Sequence, residues 1–187
     1  MFFIHRIIVH FNSIRMLHKI KVYGKNCKLS RNVYLKNPQY ISLGNEVLVG
    51  SNSVIEAWDK YENEIFDPQI YIGNRVKINS KCHISAINSI FIGDDCLLGS
   101  NVLIVDNAHG NGSFDELSIP PVKRRLFSKG GIVIGERCWI GDNVVILSNV
   151  HIGDNVTIGA NAVVAHDIPA NCVAAGLPAK VIRKITE

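Results

Sequence analysis

Four histidines fall beyond residue 70: His83, His109, His151 and His166. An imidazole titrates at about 6.5, so near neutral pH it is largely free base and can take a proton from a weak acid. From the residues alone His109 is one of four candidates, and a histidine taken at random is more often a plain surface residue. His109 ends the segment Ile104-Val105-Asp106-Asn107-Ala108-His109, and Asp106 is the kind of carboxylate that fixes the tautomer and orientation of an imidazole. Directly after it comes the stretch 110–131, GNGSFDELSIPPVKRRLFSKGG, bracketed by glycines, broken by Pro120-Pro121 and charged by Lys123, Arg124, Arg125 and Lys129. A long unpatterned loop inside a compact domain is usually functional. Nucleophile chemistry reads less well. The chain has no G-x-S-x-G elbow, and its five cysteines (Cys27, Cys82, Cys96, Cys138, Cys172) form no C-x-x-C pair, so free buried thiols in a reducing cytosol are expected.

The element that must hold His109 shows itself further on. Residues 134–169 read IGERCW, IGDNVV, ILSNVH, IGDNVT, IGANAV, VAHDIP: six hexads, each opened by an aliphatic residue at 134, 140, 146, 152, 158 or 164. A period of six fits neither an amphipathic helix nor an alternating strand; it marks a parallel β-helix in which one short unit repeats and stacks. Three hexads make one triangular coil, whose interior the openers and the small fifth residues fill. Coils are expected to start near residues 43, 72, 92, 134 and 152, stacked at a strand spacing of roughly 4.8 Å. Glycine at a hexad's second position is expected to mark a tight corner with a backbone conformation that other residues resist. Residues 57–69, with Trp58, Tyr61 and Phe66 among charges, read as a loop bulging from a corner, and a two-residue slip separates the hexad at Ile84 from the restart at Ile92.

Residues 1–22 predict an amphipathic helix, with Ile4, Ile7, Ile8, Phe11 and Ile14 at helical spacing and Arg6, His10, Arg15 and Lys19 elsewhere on the wheel. Two readings compete: the helix packs on the domain or a neighbouring subunit, or residues 1–20 lie on a membrane surface. No apolar run reaches the roughly 20 residues that cross a bilayer, and the start lacks a signal peptide's charged n-region and cleavage site. A cytoplasmic protein is expected, at the inner face of the cytoplasmic membrane if the second reading holds. Residues 23–187 are enough for one well-buried domain, ending in a cationic tail over 170–187. The net charge of +4 suits an anionic ligand but is too small and dispersed to argue for nucleic acid.

From residue 70 to 185 the order D-x-x-H-G, long loop, C-W-I-G, G-A-N-A, A-A-G-x-P-A-K resembles the hexapeptide-repeat acetyltransferases. The nearest branch is the sugar O-acetyltransferases of bacterial lipopolysaccharide and capsule, with galactoside, maltose and serine acetyltransferases as cousins. The resemblance implies an all-β fold, a left-handed parallel β-helix with an N-terminal helix and a long excursion loop. It also implies a homotrimer with active sites between subunits. His109 would be the general base that deprotonates a sugar hydroxyl for direct attack on acetyl-CoA, with Asp106 orienting it. Asn79 and His83 would contact the acceptor. On the donor side, backbone amides near Asp142 and Ala160 would hold the thioester and pantetheine, the Asp142 amide serving as oxyanion donor. Trp139 would wall the pantetheine slot, and Lys180 and Arg183 would meet the phosphates of coenzyme A. Two departures matter: Asn107 stands where relatives commonly have a second histidine, and no acidic acceptor contact is found near Ala86–Ile87, which argues against a galactoside or maltose substrate. The γ-type carbonic anhydrases share the fold and bind zinc through a close histidine pair, whereas the histidines here are scattered, so no metal is expected. Two rivals remain: N-acetylation of an amino-sugar nucleotide, and a non-catalytic β-helix scaffold. The intact DNAH, the basic loop and the cationic tail disfavour the scaffold.

Overall fold

The protein is described by a computed structural model over residues 16–186. Most of the helix expected over 1–22, and with it the membrane-contact reading of residues 1–20, lies outside the described residues. What is described is a last helical turn at residues 16–17, and the chain is already a strand at Val22–Tyr23. Leu17 and Ile20 are buried there and join the main core, so this part of the segment closes the first end of the domain.

Three parallel sheets form the faces of a triangular prism. The first face contains Val22–Tyr23, Ile41–Leu43, Gln69–Ile72, Ser89–Ile92, Ile132–Ile134 and His151–Ile152. The second contains Lys28–Leu29, Leu48–Val49, Lys77–Ile78, Leu97–Leu98, Trp139–Ile140, Thr157–Ile158, Cys172–Gly176 and Ala179–Lys184. The third contains Tyr34–Lys36, Val54–Ala57, His83–Ala86, Leu103–Val105, Val145–Ile146 and Val163–Val164. There are therefore six full coils where five were expected. The extra one is the first, whose hexads open on Tyr23, Leu29 and Leu35; the aromatic opener breaks the aliphatic pattern that betrays the others. The tail over 170–187 is not loose chain. Ala179–Lys184 folds back antiparallel on Cys172–Gly176 and finishes the second face.

The openers and fifth residues do fill the interior: Ile134, Ile140, Ile146, Ile152 and Val164 are fully buried, with Val144, Val156 and Ala162 between them. Each such aliphatic side chain contributes about 1.5–3 kcal/mol relative to an exposed one. Cys82, Cys96, Cys138 and Cys172 are buried free thiols, and Cys27 is half-buried. The corner glycines call for a correction. The left-handed backbone falls on the fourth hexad position, where Asn101, Asn143, Asn149, Asn155 and Asn161 have φ between 56° and 61°. Asparagine tolerates that region better than most residues. The second-position glycine is needed for space instead: a Cβ on Gly93 would lie 2.7 Å from the backbone of Gly135 in the next coil.

Irregular segments gather on one edge of the prism, where the third face turns into the first. Residues 57–69 leave there and form an antiparallel hairpin, Lys60–Tyr61 with Glu64–Ile65, rather than an open loop. One coil later the slip at Ile87–Asn88 sits on the same edge. After the next coil the long loop departs, its returning strand Leu126–Phe127 paired antiparallel with Ala108–His109. Because the coils stack, these excursions meet. The Tyr61 hydroxyl donates to the Val122 carbonyl, and Glu64 forms an ion pair with Arg125.

Candidate active site

His109 stands exposed at this meeting point, at the foot of the long loop and opposite Leu126 in the two-stranded ladder. Its ring packs edge-to-face with Tyr61, centroids 5.3 Å apart at 68°. Tyr61 in turn meets Trp58 in the same manner at 6.1 Å. From Trp58 a polar cluster spreads over the lower third face. Its indole N–H donates to Glu56 Oε2 at 3.1 Å, and His83 Nε2 lies 3.2 Å from the same oxygen. Lys36 sits over the indole face, and burial there pulls its ammonium below the usual lysine range against the opposing pull of Glu56 and Asp59. His83 is thus held beside the cluster that leads to His109.

Asp106 does something other than orient His109. It is fully buried, and its carboxylate accepts from the amides of Ile87 at 2.8 Å and Asn88 at 2.9 Å and from Asn107 Nδ2 at 3.2 Å. The reason is the pleat. Ile104 points inward and Val105 outward, so Asp106 points inward again. His109 comes after the chain has turned out of the coil. The carboxylate therefore caps the amides exposed by the two-residue slip. Burial pushes its pKa up, while those amides pull it down.

A groove of about 840 Å³ begins beside His109 and climbs the same edge toward the later coils, lined by Asn107, Ala108, Lys129, Leu147, His166 and Asp167 among others. Lys129 and Asp167 bring opposite charges to it and His166 an imidazole; in the sequence Lys129 was legible only as one charge of the long loop and His166 as one of several scattered histidines. Tyr61 was likewise hidden among the charges of an apparent loop. A smaller cleft of about 350 Å³ opens between the hairpin and the loop, lined by Phe66, Asp67, Asn88, Leu126 and Phe127 among others.

The remaining expected site residues lie elsewhere on the prism. Asn79 is exposed on the edge between the second and third faces, so within one chain it does not meet His109. Asp142 and Ala160 stack on that same edge, with the Asn161 amide donating to the Asp142 carbonyl at 2.9 Å and the Asp142 carboxylate accepting from the Ser100 amide at 2.6 Å. Trp139 is exposed on the second face, in the cross-strand column that continues through Thr157 and Val173 to Arg183. Lys180 pairs with Ala175 in the same ribbon. Among the described residues no group of three or more His, Cys, Asp or Glu side chains is placed to hold a metal ion.

The repeat matches the bacterial transferase hexapeptide (six repeats) family over residues 131–166 and the hexapeptide repeat of succinyl-transferase over 89–105. A lipopolysaccharide biosynthesis O-acetyl transferase by name, WbbJ of Escherichia coli (strain K12), is 36% identical over 168 residues, covering 88% of this chain and 82% of that protein. The chain belongs to the hexapeptide-repeat acetyltransferases. The galactoside O-acetyltransferase of the same organism is 35% identical over 144 residues, 74% of this chain and 64% of that one. Among solved structures, a mutant of the N-acyltransferase AntD from Bacillus cereus, in complex with dTDP-4-amino-4,6-dideoxyglucose and coenzyme A, superposes with a TM-score of 0.76 at 20% identity, covering 91% of this chain and 87% of that one. A maltose O-acetyltransferase from Clostridium difficile 630 gives 0.58 at 25% identity, covering 92% and 73%. Like other hexapeptide-repeat acetyltransferases, the chain folds as a left-handed parallel β-helix.

Proposed function

We propose that this acetyltransferase moves acetyl from acetyl-CoA to a hydroxyl of a sugar in the assembly of lipopolysaccharide or another surface polysaccharide. It would work as a homotrimer with His109 as general base. The observation that carries this reading is the place of His109, an exposed imidazole where two excursions converge and a groove begins. The relatedness to WbbJ supports the sugar hydroxyl as acceptor.

The imidazole takes the hydroxyl proton as the sugar oxygen attacks the thioester carbonyl. A C–O bond forms, the carbonyl π pair moves onto oxygen, and that oxyanion needs a fixed N–H donor, which the Asp142 amide on a neighbouring copy would supply. Collapse breaks the C–S bond, and the imidazolium returns its proton to the departing thiolate. No acyl-enzyme is formed. Asp142 suits its part because its own carboxylate and carbonyl are tied into the corner stack. The groove beside His109 carries Lys129, whose ammonium would offer the donor's phosphates one cationic contact. Trp139, Lys180 and Arg183 would line the facing donor wall on the neighbouring copy, and His83, beside Glu56 and Trp58, would meet the acceptor.

The test is His109→Ala, with coenzyme A release followed in the presence of sugar acceptors. Loss of a positioned base costs on the order of 10²–10⁴-fold in turnover; near-wild-type turnover would refute the assigned base. The acceptor screen sets hydroxyl-only sugars against amino-sugar nucleotides, and turnover confined to the latter would replace O-transfer by N-transfer.

A further inference from the structure

The hairpin Lys60–Ile65 belongs to no hexad, yet it is the described segment whose side chain packs on the His109 ring. Tyr61 holds three partners at once. Its ring lies against His109 at 5.3 Å and 68°, its other neighbour is Trp58 at 6.1 Å, and its hydroxyl donates to the Val122 carbonyl in the long loop. Tyr61 is only half-buried, so this packing does not serve the main core, and none of its partners belongs to the prism interior.

The neighbouring contacts act in the same sense. Glu64, three residues on, pairs with Arg125 at the base of the returning strand that ladders with His109. The Phe66 amide donates to the Asp59 carbonyl at 2.8 Å and closes the hairpin at its root. Trp58 is anchored by Glu56 below its edge and Lys36 over its face. A line of contacts therefore runs from the rigid third face, through Trp58 and Tyr61, to an imidazole with no carboxylate partner among the described residues. The carboxylate expected to orient it, Asp106, is occupied by the Ile87 and Asn88 amides.

An exposed histidine on a two-residue strand has free rotation about both side-chain torsions unless something restrains it. A general base needs restraint, because a misplacement of about 1 Å from the reacting atoms costs on the order of 10²-fold. We propose that Tyr61 is the positioning residue of the active site: its ring, braced by Trp58 and tethered to Val122, fixes the His109 imidazole toward the acceptor. Edge-to-face packing of two rings is directional, so it restricts the imidazole plane as well as its location. The aromatic contact thus replaces the carboxylate–imidazole pair of a conventional acid–base site. The proposal rests on the reading of His109 as base.

The experiment compares Tyr61→Phe, which keeps the ring and loses the hydroxyl tether, with Tyr61→Leu, which loses both. Two readouts are taken on the full chain: steady-state kinetics with acetyl-CoA and a turned-over acceptor, and the ring-proton NMR signals of His109, assigned by their disappearance in His109→Ala. Tyr61→Leu is expected to lower kcat by about 10- to 100-fold with KM for acetyl-CoA within about twofold, and to abolish the ring-current displacement of the His109 signals. Tyr61→Phe is expected to keep that displacement and to retain kcat within about threefold, the conservative variant thus rescuing the loss. Should Tyr61→Leu fail to fold, Tyr61→Met fills the same volume without a ring, and the same readouts apply. Unchanged kcat in the ring-less variant overturns the proposal, and so does a fall in kcat with His109 signals left in place. If His109→Ala keeps turnover, the base assignment fails; the NMR comparison still decides whether Tyr61 fixes the ring.

Discussion

Asp106 illustrates how a side chain's neighbours decide its job. A carboxylate buried with two backbone amides and one side-chain amide as donors is well matched, because it brings acceptor capacity alone. Asp106→Asn keeps the shape but turns an NH₂ toward donors, and a buried donor left facing another donor costs about 1–3 kcal/mol. The expected outcome is an unfolding free energy lower by that amount, read as a lower urea midpoint with the fold retained. The pH dependence adds a sign. Burial raises this carboxyl above its ordinary 3.8 against the pull of its amide donors, so the folded chain holds the proton more tightly than the unfolded chain. The contribution of this one group to stability therefore grows as pH falls through its raised folded value toward 3.8 and is level below that. Asp106→Asn removes this component, so the gap between variant and wild type should widen on acidification; a constant gap in urea titrations at neutral and mildly acidic pH would contradict it. The sequence showed Asp106 and His109 as neighbours and made their pairing natural. Strand alternation from Ile104 already placed Asp106 inward, but the turn that carries His109 outward depends on Leu126, residues away along the loop.

The coils depend on a division of labour between two corner positions that a hexad pattern alone blurs. The fourth position bends the chain and the second lets the next coil approach. Asn101 tests the first: its φ is 58°, and it tolerates exchange for glycine but not for a residue that resists the left-handed region. Asn101→Gly is expected to be near neutral, whereas Asn101→Ala should cost about 1 kcal/mol. Gly93 tests the second. Gly93→Ala would press a methyl to 2.7 Å from the Gly135 backbone, which cannot swing away as a side chain can, so a loss of about 1–3 kcal/mol and a lower melting temperature are expected. Most of this element scale was legible, since openers, fifth positions and coil length follow from spacing. The first coil was legible only in part: the runs Cys27-Lys28-Leu29 and Val33-Tyr34-Leu35 read as short strands, but Tyr23 stands where an aliphatic residue opens the other coils. The hairpin was hidden as well: its strands are two residues each, and Glu62, not the Asn63 beside it, takes the left-handed position of the turn.

At the scale of the whole molecule, the surfaces needed for one reaction are spread over a single prism. His109 stands on the edge between the third and first faces, whereas Asp142 and Ala160 occupy the edge between the second and third. Trp139 and Arg183 share a column of the second face, three strand spacings or roughly 14 Å apart. One face separates the proposed base from the proposed donor wall, while proton transfer needs contact at about 3 Å. In the proposed homotrimer, each copy would set its His109 edge against the next copy's donor wall and close that gap by a heterologous contact repeated around a threefold axis. The outer side of the third face suits such a contact in its later coils, where Leu103, Val105, Val145, Leu147, Val163 and Ala165 present apolar side chains at least partly to solvent. The arrangement predicts complementation. His109→Ala and a Lys180→Ala/Arg183→Ala double variant should each be nearly inactive alone, the first for want of a base and the second through weak acetyl-CoA binding. When the two are unfolded together, refolded in equal amounts and assayed at limiting acetyl-CoA, each site draws its base from one copy and its donor wall from another. About one quarter of sites should then carry both intact, and activity should recover toward that fraction of wild type. Mixing the two without unfolding leaves the rings unexchanged and should recover nothing. If each chain formed its own complete site, every chain would carry one lesion, and refolding together would restore no activity at all.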